Sequence, residues 1–194
     1  MTEKKSVLIT GASSGIGRAV AEHLNQEGYR VVLVARNQAR LESVATELTD
    51  DSVVIPYDLT ELEAIEQIFL QCKEENIKLY GLVHCAGINR DQPVRTNSLQ
   101  DMIAVMNTNL LSFIELGKYF CRKKYSVDGA SMVGISSTAV YACEKAMSTY
   151  SASKAGLDAS VRVMSKEFAA RGIRVNSIQP HFVDTDMARN TQDY

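Results

Sequence analysis

The sequence predicts an α/β fold in which a parallel sheet lies between two layers of helices. Six short runs rich in β-branched residues alternate with longer stretches of helical periodicity. The runs are almost continuously apolar, which is typical of strands covered on both faces. Their alternation with helices indicates right-handed crossovers and a three-layer, doubly wound sheet. Residues 1–194 suffice for a substantial core, and we expect one domain.

The predicted elements follow in order along the chain. Runs such as "SVLIT" and "RVVLVA" consist mainly of residues that favour strands. The predicted strands span 6–10, 30–35, 52–57, 79–85, 130–137 and 173–178. The stretches between them predict helices over 17–28, 38–48, 61–76, about 99–123 and 148–171. Gly28 and Gly172 stand where a left-handed residue often ends a helix.

A glycine-rich turn, "TGASSGIGRAV", follows the first strand and opens the first helix. Gly11, Gly15 and Gly17 have the spacing G-x3-G-x-G, which differs from GxGxxG. The absence of side chains lets backbone N–H groups and a helix N-terminus approach a pyrophosphate. The alternative is a tight turn that binds nothing. Three glycines within seven residues, between a strand and an amphipathic helix, favour the nucleotide site.

The residue after the second strand bears on cofactor choice. An acidic side chain there would bond the adenosine ribose, but this chain has Arg36. A guanidinium suits a 2′-phosphate, so we expect NADP(H) rather than NAD(H). The alternative is a solvated arginine, although a cation near a helix N-terminus is unfavourable without an anion.

In "YSASK", Tyr150 and Lys154 are four residues apart on a predicted helix. A free tyrosine has a pKa of about 10, and a neighbouring ammonium group would lower it towards working pH. We therefore expect an acid–base pair. The alternative is a half-exposed aromatic ring beside a solvated lysine.

Composition and charge limit the classes of function. A net charge of −2 gives no basic surface for nucleic acid. The N-terminus has no long apolar run, so we expect neither a signal peptide nor a membrane span. Cys72, Cys85, Cys121 and Cys143 show no CxxC spacing. Reduced thiols in a cytoplasmic protein are the simplest account.

Seven segments together resemble the short-chain dehydrogenase/reductase family over nearly the full length. They are "TGASSGIG" (10–17), "YDLT" (57–60), "HCAG" (84–87), "NTNL" (107–110), "ISS" (135–137), "YSASK" (150–154) and "RVNSIQPHFVDTDM" (174–187). The segments "GINRD", "AARGIRVNSI" and "FVDTDM" are most similar to the 3-oxoacyl-acyl-carrier-protein reductase type. The resemblance implies a Rossmann fold.

The resemblance also implies roles for individual residues. Tyr150 would be the catalytic acid, with Lys154 bonding the nicotinamide ribose, and Ser137 would hold the substrate carbonyl. Asn109 would hold a water that relays protons to the lysine. The implied cofactor-binding residues are Gly11, Ser13, Ser14, Gly15, Ile16, Gly17, Arg36, Asp58, Leu59, His84, Ala86, Gly87, Tyr150, Lys154, Pro180, Val183 and Thr185.

Two segments depart from the family pattern. The family usually has Asn-Asn where this chain has His84-Cys85, which would change how the strand end is braced. It usually has glycine at His181, so the bulky ring would alter cofactor or substrate fit. Neither histidine has neighbours spaced to bind zinc, so we expect no metal.

The resemblance implies that an NADPH-dependent enzyme reduces a ketone to a secondary alcohol, with 3-oxoacyl thioesters on acyl carrier protein as substrate. Two alternatives stay open: another ketone or alcohol substrate (a sugar, a steroid-like molecule or a secondary metabolite), and a non-catalytic NADP-binding module. Family members usually continue with a lid, a helix and a last strand, which we expect this chain to lack. They also commonly form dimers or tetramers.

Overall fold

The computed structural model describes residues 4–49 and 51–189. Within them, a six-stranded sheet has the order β3-β2-β1-β4-β5-β6, and all pairs are parallel. The strands are β1 (Ser6–Thr10), β2 (Arg30–Ala35), β3 (Ser52–Pro56), β4 (Leu79–His84), β5 (Ser126–Ile135) and β6 (Arg174–Ile178). The helices are α1 (Gly15–Gln26), α2 (Gln38–Glu47), α3 (Glu66–Glu74), α4 (Leu99–Met106), α5 (Ser112–Phe120), α6 (Ala139–Ala142), α7 (Ser148–Glu167) and α8 (Asp186–Arg189).

Helices cover both faces of the sheet, so successive residues of β1 point into different cores. Val7 and Ile9 pack in one cluster with Leu41 of α2. Leu8 packs in the other, with Phe113 of α5 and Leu157 of α7. All five residues of β1 are buried. Burial on both sides explains the continuous apolar runs in the sequence and confirms the predicted three layers.

The strand order reverses at β1, which pairs with β2 on one side and β4 on the other. At the carboxyl end of β1, Thr10 lies level with Val34 and His84. The connections diverge to opposite faces here, and open α/β sheets bind ligands in the crevice at such a point.

The predicted helix over about 99–123 is interrupted. A π turn, Asn107–Leu111, separates α4 from α5. Periodicity alone did not indicate this wider turn, because the flanking residues keep a helical apolar pattern. The interruption carries Asn109, a fully buried polar residue whose partners lie outside the helix.

Other boundaries also differ from those expected. β5 begins at Ser126, because Ser126 already pairs with Leu79 of β4. The register of this pairing then shifts, and Gly129, with a φ of +76°, lies within the shifted part of β5. The predicted helix over 61–76 opens with a 3₁₀ turn, Leu62–Ala64, before α3. Among the residues that the structure describes, no helix has the length and apolar character needed to cross a bilayer.

Candidate active site

A cavity of about 910 Å³ opens at the carboxyl ends of the strands. Each strand contributes residues that follow it closely: Gly11, Arg36, Asp58, Ala86, Ser137 and Pro180. Helix α7 adds Tyr150 and Lys154, and residues 180–188 form a further wall. The parallel sheet therefore gathers residues from the whole chain at one edge.

The glycine turn is required by close backbone packing. A Cβ at Gly11 would lie 2.8 Å from the backbone nitrogen of Ala86, and one at Gly17 would lie 2.3 Å from the Gly11 carbonyl oxygen. Gly11 and Gly15 also have left-handed φ angles of +67° and +52°. The first turn of α1 borders the cavity, where its N–H groups and partial positive charge suit an anion.

Two arginines border the same cavity at the N-terminus of α2. Arg36 is exposed, as is Arg40 one turn later. Between them, Asn37 caps the helix by accepting a 3.0 Å hydrogen bond from the Arg40 backbone N–H. Neither guanidinium forms an ion pair with any carboxylate in the described part of the chain. The pair fits a dianionic group.

Tyr150 and Ser137 form the polar centre of the opposite end of the cavity. Ser137 follows β5 and accepts a 3.1 Å hydrogen bond from the Ala139 backbone N–H. Burial raises the pKa of Tyr150, a hydrogen bond with Ser137 lowers it by less, and the Asp91 carboxylate raises it further. The phenol is therefore protonated at neutral pH.

Lys154 is 3% exposed, and its ammonium group donates a 2.7 Å hydrogen bond to the Ile135 carbonyl. Its Nζ lies 5.7 Å from the centroid of the Tyr150 ring. Burial lowers the pKa of Lys154 to about 8. The expectation that the pKa of Tyr150 is lowered overall is wrong, because burial of the phenol outweighs the effects that lower this pKa.

Asn109 lies behind the cavity wall. Its Oδ1 accepts a hydrogen bond from the Ile88 N–H at 2.8 Å, and its Nδ2 donates to the Ile88 carbonyl at 3.0 Å and to Ser153 Oγ at 3.1 Å. The amide therefore fastens the loop after β4 to helix α7. The predicted role in holding a water stays a prediction.

The side chain of His84 also lies outside the cavity wall. The ring is fully buried, with Nδ1 at 2.9 Å from Thr10 Oγ1 and the ring centroid 5.6 Å from that of Phe113. The ring therefore does not border the cavity, and the predicted contact of His84 with the cofactor stays a prediction. Apart from Asn109 and His84, every predicted site residue borders the cavity.

Comparison with known proteins gives the family. A family model described as "short chain dehydrogenase" matches residues 5–194. The chain belongs to the short-chain dehydrogenase family. The predicted family and its Rossmann-type fold are thus confirmed. Such oxidoreductases use nicotinamide cofactors, which the glycine turn and the arginine pair of this family member fit.

Several named proteins are similar to this short-chain dehydrogenase. The human "3-oxoacyl-[acyl-carrier-protein] reductase" is 33% identical over 97% of this chain and 80% of its own length. The zebrafish (Danio rerio) "Carbonyl reductase family member 4" is 36% identical over 93% of this chain and 76% of its own. A crystal structure of a dehydrogenase/reductase from Sinorhizobium meliloti 1021 has a TM-score of 0.89 at 33% identity, covering 94% of this chain and 74% of that one.

Sequence reasoning missed several residues that border the cavity of this short-chain dehydrogenase. Arg40 could have been predicted from the sequence, since it lies one helical turn beyond Arg36. Phe182 and Met187, 70% and 44% exposed, form an apolar rim with no distinctive spacing in the sequence. Glu144 also borders the cavity. Among the described residues, no cluster of side chains could hold a metal ion.

Proposed function

We propose that this short-chain dehydrogenase is an NADPH-dependent ketoreductase that acts on 3-oxoacyl thioesters carried by acyl carrier protein. One observation carries the reductase proposal: the hydroxyls of Ser137 and Tyr150 share a cavity with the glycine turn and the arginine pair. A hydride donor and a carbonyl acceptor would thus be held in one enclosed space.

The residues fit carbonyl reduction. A bound reduced nicotinamide supplies a hydride to the carbonyl carbon. Ser137 donates a hydrogen bond to the carbonyl oxygen, where negative charge develops. Tyr150 transfers its phenolic proton to that oxygen and completes the alcohol. Its raised pKa keeps the proton available at neutral pH.

Lys154 supports both steps. With a pKa of about 8 it carries a positive charge at neutral pH, and it lies beside the tyrosine ring. This charge favours the phenolate that remains after proton transfer. The Ile135 carbonyl fixes the direction of the ammonium group.

The arginine pair supports NADPH as cofactor. A 2′-phosphate would receive charge-assisted hydrogen bonds from Arg36 and Arg40, whereas an unmodified ribose would leave two cations without an anion. Asp58, at the end of β3, would meet the adenine.

The thioester substrate is supported by the names of the relatives and by the apolar rim. Phe182 and Met187 offer a surface for an acyl chain. The similarity to "Carbonyl reductase family member 4" favours a second candidate, reduction of a small ketone that is not bound to a carrier. A non-catalytic NADP-binding module is disfavoured by the intact Ser137, Tyr150 and Lys154.

Assembly and location are further proposals. Exposed apolar side chains at Leu99, Ile103, Leu111 and Val163 support a homo-oligomer, either a dimer or a tetramer. All four cysteines are free thiols, which supports a cytoplasmic location.

The test is oxidation of NADPH with acetoacetyl thioesters and with a panel of small ketones. We expect turnover with thioesters. Turnover with only the free ketones would favour the second candidate. Binding of NADPH without turnover on any carbonyl would contradict both and favour the non-catalytic module.

A further inference from the structure

We propose that His84 is a positioning residue. As a neutral imidazole protonated on Nε2, it joins the end of β1, which leads into the glycine turn, to the π turn that holds Asn109. The kinetic part of this inference rests on the proposed function, but the structural part stands without it.

The hydrogen bonds of Thr10 set the proton position on one side of the ring. Thr10 Oγ1 accepts a hydrogen bond from the Ala86 backbone N–H at 3.2 Å and lies 2.9 Å from His84 Nδ1. If Nδ1 were protonated, the hydroxyl would accept twice, and its own hydrogen would have no partner among the described residues. With Nδ1 unprotonated, the hydroxyl donates to it, and each group is satisfied.

The environment excludes a charged ring. Burial, with a smaller contribution from the Lys154 ammonium group, lowers the pKa of His84 to about 3. A neutral imidazole carries one proton, so an unprotonated Nδ1 places that proton on Nε2. The resulting N–H is enclosed by protein, because the residue is 0% exposed.

The π turn supplies the acceptors for this N–H. The Thr108 and Asn109 backbone carbonyls act on the imidazole as hydrogen-bond acceptors, raising its pKa by less than burial lowers it. Nε2 forms no hydrogen bond of ordinary geometry with the described residues, so this turn offers the N–H acceptors but no well-formed bond. A buried donor stays there only if nearby acceptors offset its desolvation.

The contacts of His84 lead to the cavity by two routes. Through Thr10 the ring fixes Ala86, which forms the cavity wall beside Gly11. Through the π turn it supports Asn109, which holds both backbone groups of Ile88. A shift of about 1 Å in these backbones would misplace the reacting groups and slow the reaction.

Nitrogen NMR on the whole chain tests the tautomer directly. The protein has three histidines, and a His84→Phe variant identifies the His84 signals by their loss. At neutral pH we expect Nδ1 to show the shift of an unprotonated nitrogen and Nε2 that of a protonated one. A proton on Nδ1, or on both nitrogens, would overturn the proposal. This measurement needs no substrate, so its result is independent of the proposed function.

Kinetics test the positioning role. His84→Phe keeps an aromatic ring beside Phe113 but removes both polar atoms. We expect kcat for the ketone to fall about tenfold while KM changes little. His84→Asn keeps an acceptor for Thr10, and we expect it to recover most of kcat. Unchanged kcat in the phenylalanine variant, or equal loss in both variants, would overturn the role.

Thr10→Val provides a second variant for the case in which the phenylalanine does not fold. It keeps the shape of Thr10 and removes the donor to Nδ1. We expect the same direction and about the same size of effect on kcat as for His84→Phe. Wild-type kcat in Thr10→Val would contradict the proposed positioning role of His84.

Discussion

Burial sets the protonation of the ionisable side chains around the cavity. It raises the pKa of Tyr150, lowers that of Lys154 to about 8, and raises that of the Cys85 thiol to about 12. At neutral pH the tyrosine therefore holds a proton to donate, the lysine keeps its charge, and the thiol is unreactive. All three states suit carbonyl reduction.

Replacing the proton donor tests its role. We expect Tyr150→Phe to lower kcat at least about a hundredfold while NADPH binding is retained, because only the phenolic proton is lost. Tyr141→Phe is the matched control, since Tyr141 is 73% exposed and does not border the cavity. Turnover of Tyr150→Phe near that of the control would remove the tyrosine from the mechanism.

The arginine pair makes a prediction about cofactor choice. We expect Arg36→Ala and Arg40→Ala each to raise KM for NADPH about tenfold or more, which is the loss of one charge-assisted bond. KM for NADH, the internal control, should change little because NADH has no 2′-phosphate. Equal effects on both cofactors would indicate that the arginines act on the fold.

His84 makes a prediction about acid stability. Its pKa in the folded chain, about 3, lies below its ordinary value of 6.5. The unfolded chain therefore binds more protons between these values, and stability falls as pH is lowered from about 6.5 towards 3. We expect His84→Asn to lose less free energy of unfolding over this range than the wild type. Parallel pH profiles from urea titrations would contradict this expectation.

At the scale of elements, the glycine turn connects two parts of the site. The turn follows β1, packs against the backbone of Ala86 and leads into α1. A Cβ at Gly15 would lie 3.2 Å from Cγ2 of Thr185, so the segment leading into α8 rests on the same turn. Movement of that segment would therefore alter the surface where a pyrophosphate would bind.

This packing predicts unequal effects of two alanine substitutions. At Gly17 the added Cβ would meet the Gly11 carbonyl at 2.3 Å, so we expect Gly17→Ala to abolish NADPH binding. Gly28→Ala is the control: its Cβ would meet nothing within 4 Å, and only the left-handed φ of +83° costs about 1 kcal/mol. Calorimetric titration measures binding. Normal affinity of Gly17→Ala for NADPH would show that the turn can rearrange without loss of cofactor binding.

At the scale of the whole molecule, the sheet and the cavity depend on each other. The strands hold both cores together, and the residues that follow them meet only because all strands are parallel. A ligand that spans the cavity would contact residues from both sides of β1. Binding should therefore stabilise the entire fold.

Thermal unfolding measures this linkage without any substrate. A ligand at a hundred times its Kd adds about 2.7 kcal/mol to the free energy of unfolding. For a chain of this size we expect NADPH to raise Tm by about 5 to 10 °C. NADH at the same concentration should give a smaller shift. No shift with either nucleotide would contradict a cofactor role for the cavity.

The sequence by itself determined the order of strands and main helices, the glycine turn, and the spacing of Tyr150 and Lys154 on one helix. These features are local: an apolar run, a helical spacing or a glycine with a left-handed φ carries its physical cause within a few residues. Resemblance then gave the family, and the three-layer fold followed from strands buried on both faces.

Only the tertiary structure decided which of these side chains face the cavity and in which protonation state. Thr10 and His84 are 74 residues apart, yet their contact encloses the imidazole. The Ile135 carbonyl holds the Lys154 ammonium group, and burial of Tyr150 reverses the sign of the expected pKa shift. Burial and hydrogen bonding of this kind arise between distant parts of the chain, so no local pattern encodes them.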